Sequence, residues 1–272
     1  MKQTVVLVGC GNMGFAMLQG WKSAMPDLDI HAVEPTKELH KRVSDLGCSI
    51  VSSVVELEQG LSPDLIVLAV KPQLVGDVVK SLNGIAGTNT AFLSVAAGVS
   101  TASMRTNLQN DNAVIRCMPN TPAAIGEGMM VLTAGAELDV GLHQLVDKMM
   151  ACSGKVAWVD DEKLMDAVTA ISGSGPAYVF HFVEALTDAG IELGLPAETA
   201  SMLAKQTVTG AGLLVNGSDL SPSVLREQVT SPNGTTAAAL QVLMGEGGLK
   251  ALIKSATQAA NDRSIELGKP DT

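Results

Sequence analysis

The 272-residue sequence is poor in aromatics, with one Tyr, two Trp and four Phe. Its core must therefore be built from Ala, Val, Leu, Ile and Met, and it offers no stacking platform for nucleic-acid bases. Basic runs are absent. The net charge is −10 and the isoelectric point is near 4.8, which argues against nucleic acid or an anionic membrane as a main partner. Four cysteines (Cys10, Cys48, Cys117 and Cys152) lie 35 to 69 residues apart with no CxxC, so they read as reduced thiols rather than a disulfide frame or metal site. His31, His40, His143 and His181 have no HxxxH or HExxH spacing, so no metal site is expected. No apolar run approaches the ~18–20 residues of a membrane span. Lys2 followed by Val5–Val8 is too short for a secretory leader. The expected compartment is cytoplasmic.

What is present is a globular composition, 46% hydrophobic and 17% charged, with a mean hydropathy of +0.27. The most informative stretch runs from Thr4 to Gly20. A short apolar strand, Val5–Val8, leads into Gly9, Gly11 and Gly14 and then into an apolar-periodic helix. This is G-x-G-x-x-G between a strand and a helix, the setting in which the pattern carries meaning. Gly9 permits the tight turn, Gly11 lets a pyrophosphate approach the backbone, and Gly14 lets the helix pack on the strand. Gly9, Cys10, Gly11, Asn12, Met13 and Gly14 are thus expected to hold a dinucleotide at the helix N-terminus. The plainer alternative is a glycine-rich turn that only packs a βα unit.

Residues 1–159 alternate strand-like runs (Val5–Val8, Ile30–Val33, Leu65–Val70, Ala91–Val95, Ala113–Cys117, Met129–Leu132, Val156–Val159) with helical stretches (Met13–Ser23, Thr36–Leu46, Leu74–Leu82, Thr101–Leu108, Asp139–Ala151). That alternation predicts a mostly parallel sheet with helices on both faces, and cofactor chemistry at the carboxyl ends of its strands. Residues 160–272 show helical spacing throughout, with breaks at Gly173–Gly175, Gly194–Pro196, Gly217–Ser221, Pro232–Gly234 and Gly245–Gly248. Segments such as Ala177–Leu186 and Thr235–Leu243 are apolar around much of their circumference, and such helices must be surrounded. The predicted fold class is α/β: a Rossmann-type doubly wound sheet over residues 1–159, then an all-α domain over residues 160–272 that binds substrate and dimerises.

Strand ends supply the candidate chemistry. Glu34 lies about 20 residues beyond the glycine loop, with Pro35 after it, where a carboxylate can bind the adenosine ribose and repel a 2′-phosphate. Thr36 and Lys37 could instead hold a phosphate there, so NADP(H) or NAD(H) both stay open. Ala69, Val70, Lys71 and Pro72 end one strand, and Ala96, Ala97 and Gly98 end another with small residues that admit a flat ring. Asn120, in the stiff polar turn Pro119–Pro122, is expected to face the substrate. Two turns, Ser172–Pro176 and Thr230–Thr236, open helices with free N–H groups and hydroxyls, an uncharged cradle suited to a small carboxylate. A hydroxy-acid dehydrogenase needs a general base, and the helical half offers only exposed-looking lysines such as Lys163 and Lys205 and one His181. Reduction of a C=N bond is less demanding, since a protonated imine needs mainly positioning.

Six stretches, VGCGNMGFAM (Val8–Met17), LAVKPQ (Leu68–Gln73), SVAAGVS (Ser94–Ser100), IRCMPNTPA (Ile115–Ala123), ISGSGPAYVF (Ile171–Phe180) and VTSPNGTTAAAL (Val229–Leu240), give the chain a resemblance to the Δ1-pyrroline-5-carboxylate reductase family over nearly its whole length. The resemblance implies reduction of the cyclic imine to L-proline by NAD(P)H, and a helical domain that interlocks into a homodimer, assembling in some members into a decamer. It further implies that Ser231, Gly234 and Thr235 contact the substrate carboxylate. Thr236 is then the hydroxyl nearest the imine nitrogen, so Ser231 and Thr236 carry the catalytic assignment. Two departures stand out. Asn233 replaces the usual Gly, and Asn is the next-best residue for a positive φ. Glu34 replaces the usual Ser, Thr or Asn, which puts the common NADPH preference in doubt. Competing readings are a β-hydroxyacid dehydrogenase-like enzyme with a catalytic Lys163 or Lys205, and a nucleotide-binding regulator without turnover.

Overall fold

The computed structural model describes residues 2–269. In chain order the elements of its first part are β1 (Thr4–Val8), α1 (Asn12–Ala24), β2 (Asp29–Val33), α2 (His40–Ser44), β3 (Ser49–Val51), β4 (Leu65–Leu68), α3 (Val75–Leu82), β5 (Ala91–Ser94), α4 (Thr101–Arg105), β6 (Val114–Met118), β7 (Gly128–Ala134), α5 (Val140–Ala151) and β8 (Gly154–Trp158). The strands form one eight-stranded sheet in the order β3-β2-β1-β4-β5-β6-β7-β8. Every neighbouring pair is parallel except β6–β7, which is antiparallel. The order reverses direction between β1 and β4, the switch point where doubly wound sheets bind ligands.

Alternation along β1 builds both layers. Val5 and Leu7 pack with Leu18 and Trp21 of α1 and Met149 of α5. Val6 and Val8 face the other way, onto Val79 and Leu82 of α3. The period of two in a strand buried on both faces is what produces two cores from one apolar run. Trp21 is fully buried, and its indole N–H donates to the Met149 carbonyl at 2.9 Å, so the ring leaves no polar atom unpaired.

The second part comprises α6 (Met165–Val168), a π-helical turn (Thr169–Gly173), α7 (Gly175–Glu192), α8 (Ala197–Asn216), α9 (Pro222–Gln228), α10 (Thr235–Leu243) and α11 (Leu249–Leu267). By compactness, Gly175–Ala259 forms one unit, and the chain before and after it forms the other. Residues 160–174 therefore cluster with the sheet. In the helical unit Ala200 and Ala204 are the buried hydrophobics among the described residues, and α7 and α10 bury none. No described helix is long and apolar enough to cross a membrane.

The structure refines several sequence expectations. β3 has no counterpart in the predicted strands. The strand expected to reach Val70 stops at Leu68, and the helix expected over Thr36–Leu46 is a tight turn at Lys37–Leu39 followed by the short α2. The break expected at Gly173–Gly175 is the π turn, closed by the Ser174 N–H donating to the Thr169 carbonyl at 2.8 Å.

Candidate active site

Each glycine of the loop answers a different steric demand. Gly9 has φ +95°, and a Cβ there would sit 2.5 Å from the Ala69 carbonyl oxygen. At Gly14 a Cβ would overlap the Gly9 carbonyl and lie 3.1 Å from Ala69 Cβ, so α1 can rest on the end of β4 only through a glycine. Gly11 is different: a Cβ there would meet nothing within 4 Å. It is the N-cap of α1, and no side chain caps that helix. Unsatisfied N–H groups at a helix start, fronted by open space, form an anion site. The residues fit a dinucleotide pyrophosphate. The Cys10 thiol is buried, and burial, reinforced by the Glu34 carboxylate, pushes it up to about 12, so it is a neutral packing group and not a nucleophile.

Glu34 follows β2 and turns inward. It is 5% exposed; Oε2 accepts the Cys10 N–H at 2.7 Å and Oε1 the Thr36 N–H at 2.9 Å. Burial works to raise its pKa, but the two N–H donors, the Thr36 hydroxyl and nearby His40 outweigh it and hold the carboxyl below its ordinary value. Arg42, which sequence reasoning passed over, spans the same turn: its guanidinium lies 4.3 Å over the Phe15 ring and donates to the Cys10 carbonyl. Pro35 continues this turn. Ala69–Pro72 leave β4, and Ala96, Ala97 and Gly98 leave β5, with Gly98 at φ +76°. Lys71 is exposed, a surface cation rather than a buried amine. The predicted cofactor residues thus gather at the carboxyl edge of the adjacent parallel strands β2, β1, β4 and β5.

Asn120 is committed to protein partners. Its Nδ2 donates to the Ser172 carbonyl at 3.0 Å and its Oδ1 accepts the Met129 N–H at 2.8 Å, tying the turn after β6 to both β7 and the π turn. The Ser172–Pro176 turn is not a free cradle. Ser172 Oγ donates back to the Val168 carbonyl at 3.0 Å, and a Cβ on Gly173 would meet Met118 Cε at 2.5 Å. A second unforeseen cluster seats this segment: Glu162 accepts from the Thr101 N–H (2.9 Å) and hydroxyl (2.6 Å) and lies 3.4 Å from Arg116, itself 5% exposed. No local pattern announces an interaction spanning 61 residues.

In the helical unit the Ser231–Thr236 bend keeps its predicted form. Asn233 has φ +59°, the one positive φ outside glycine among the described residues. Gly234 N–H donates to the Ser231 carbonyl at 3.1 Å, and a Cβ on Gly234 would strike Ser231 Oγ. Gly234 caps α10 without any side-chain bond, so the helix start, flanked by the hydroxyl-bearing Ser231, Thr235 and Thr236, is open to an anion. In the single chain Lys163 and Lys205 are exposed, and His181 pairs with Glu184 at 3.1 Å. No cluster of three or more metal-ligating side chains occurs among the described residues.

A family model for pyrroline-5-carboxylate reductase dimerisation matches residues 162–267, and one described as NADP oxidoreductase coenzyme F420-dependent matches residues 4–98. The chain is 38% identical to a pyrroline-5-carboxylate reductase of Pseudomonas aeruginosa over 97% of each chain. Its fold is similar to a pyrroline-5-carboxylate reductase of Coxiella burnetii at a TM-score of 0.92 and 33% identity, covering 99% of this chain and 100% of the other. It is also similar to a Plasmodium falciparum pyrroline carboxylate reductase solved with NADP bound (TM-score 0.83, 29% identity, 99% and 100% covered). With such identity over 97% of its length, and with a dimerisation-family match over residues 162–267, the chain belongs to the pyrroline-5-carboxylate reductase family.

Proposed function

We propose that this chain reduces the cyclic imine 1-pyrroline-5-carboxylate to L-proline with NAD(P)H, the last step of proline biosynthesis. The observation that carries the reading is the uncapped N-terminus of α10 with Ser231, Thr235 and Thr236 around it, in a chain of this family. An uncharged cradle of N–H groups and hydroxyls holds a small carboxylate without presenting a base.

In this reading residues 1–159 bind the dinucleotide and residues 160–272 bind substrate and build the dimer. The six loop residues from Gly9 to Gly14 hold the pyrophosphate. Glu34 and Pro35 border the adenosine ribose, and the Ala69–Pro72 and Ala96–Gly98 segments line the nicotinamide side. The bound nicotinamide supplies the hydride. Ser231, Gly234 and Thr235 fix the substrate acid group, and Thr236 presents its hydroxyl to the ring nitrogen. A threonine hydroxyl is too weak an acid to be the sole proton source near neutral pH, so Thr236 orients an imine that arrives protonated. Asn120 acts through the turn it braces, since its amide oxygen is already held by Met129. A catalytic-lysine dehydrogenase is disfavoured because the chain is 38% identical over 97% of its length to a pyrroline-5-carboxylate reductase.

Steady-state oxidation of NADH and NADPH, side by side with pyrroline-5-carboxylate as acceptor, tests the proposal. Imine-dependent oxidation with proline as product is expected; tight nucleotide binding without turnover would point instead to a nucleotide-sensing protein.

A further inference from the structure

An acidic side chain bordering the glycine loop, Glu34, is fixed in place by the fold. Glu34 Oε2 takes the Cys10 N–H and Oε1 the Thr36 N–H, while the Glu34 carbonyl oxygen lies 2.6 Å from His40 Nε2. The carboxylate is therefore held between the loop after β1 and the turn after β2, at the position where a doubly wound dinucleotide site meets the adenosine ribose. Three cations lie on the neighbouring segment, and none of them pairs with Glu34. Arg42 lies against the Phe15 ring and the Cys10 carbonyl, and Lys41 pairs with Asp45 at 2.9 Å. Lys37 is exposed beside Glu38, and its charge is screened by water. A dianionic phosphate brought to this turn would meet the fixed negative charge of Glu34.

We infer that Glu34 makes this chain selective for NADH: its carboxylate accepts a hydrogen bond from the ribose 2′-hydroxyl and repels a 2′-phosphate. The inference rests on the glycine loop being the nucleotide site. It runs against the nucleotide named both by the matched N-terminal family model and by the P. falciparum structure, so it concerns this chain's own residues. A 2′-hydroxyl gains an acceptor here, while the phosphate gains a repulsion. The two effects add in the ratio of affinities, which is where selectivity resides.

The test is direct binding to the full-length protein, with no turnover involved. NADH and NADPH are titrated by nucleotide fluorescence, and AMP and 2′-phospho-AMP by calorimetry, the latter pair isolating the adenosine end. The wild type is expected to bind NADH and AMP at least about tenfold more tightly than their 2′-phosphorylated counterparts, a difference of about 1.4 kcal/mol. Glu34→Ser should narrow that ratio about tenfold, chiefly by strengthening the phosphorylated ligands. Equal affinities in the wild type, or a Ser variant that shifts both ligands alike, overturns the inference. The wild-type comparison of AMP with 2′-phospho-AMP decides the matter even where Glu34→Ser fails to fold. Gly11→Val separates the two layers of the argument. If it loses both nucleotides while the wild type fails to discriminate, only the selectivity falls; if it binds both normally, the loop assignment falls and the selectivity with it.

Discussion

At the scale of single residues, the backbone of the Ser231–Thr236 bend separates two roles that sequence alone joins. Asn233 holds φ +59°, a conformation that costs a residue with an ordinary Cβ about 1 kcal/mol. Asn233→Gly should therefore preserve function. Asn233→Ala should raise KM for the imine about fivefold at nearly constant kcat, because the bend must be ordered against that cost. Thr236 sits one residue into α10 and adds only a hydroxyl. Thr236→Ala is expected to lower kcat about tenfold or more while NADH affinity stays at the wild-type value; an unchanged kcat would remove Thr236 from the chemistry.

Glu34 gives a second residue-scale prediction, in stability. Its folded-state pKa is depressed, so the unfolded chain binds the proton more readily than the native one. The carboxylate thus contributes stability at neutral pH, fully present above the unfolded-state value. That contribution is lost as pH falls through the lower folded-state value. Urea midpoints of the wild type and Glu34→Ala should lie apart at neutral pH and converge in acid. A gap that stays constant down to the most acid pH at which both fold would refute the assigned cause.

At the scale of elements, the seating of α1 on the sheet depends on two glycines with opposite sensitivities. A methyl at Gly14 would run into the Gly9 carbonyl, whereas one at Gly11 would enter open space. Gly14→Ala should accordingly cost about 1–3 kcal/mol of stability by forcing α1 away from the glycine loop and the end of β4. Gly11→Ala should leave thermal stability nearly intact and weaken nucleotide affinity. Paired melting and titration curves check both; the reverse pattern would mean that α1 rests on the sheet at a different point. This glycine grammar was legible because a strand, a turn and a helix start impose it within ten residues or so. The strand–helix alternation was legible for a similar local reason. What escaped had no local signature. β3 is three residues long at the sheet edge, too short to show alternation. β4 stops at Leu68 although Ala69 and Val70 continue the apolar run, and there the backbone lies against Gly9 and Gly14. The inward turn of Glu34 depends on an N–H 24 residues away, and Asn120 spends its amide on Ser172, 52 residues on. Residue type announced that these side chains were polar and placed near strand ends, but partners decided what they do.

At the scale of the molecule, the helical unit leaves large apolar side chains uncovered in the single chain. α7 runs for 18 residues without burying one of them, and Phe180, Leu213, Leu214 and Val242 are 61%, 66%, 58% and 77% exposed. Packed helices of a soluble domain hide an apolar stripe, and here the stripe is bare in the single chain. The match to a dimerisation family over residues 162–267 identifies the cover as another copy of the chain. Folding of this unit is then coupled to association, and mass action makes its stability depend on concentration. The thermal midpoint should rise as protein concentration is raised across the micromolar range. Phe180→Glu, which places a charge on the exposed apolar face, should shift sedimentation toward the monomer, lower the midpoint and abolish turnover. NADH binding to the sheet, whose cores are complete within one chain, should survive. A wild type that sediments as a monomer with a concentration-independent midpoint would mean that these side chains are covered from within the chain, and the dependence of the helical unit on a second copy would fall.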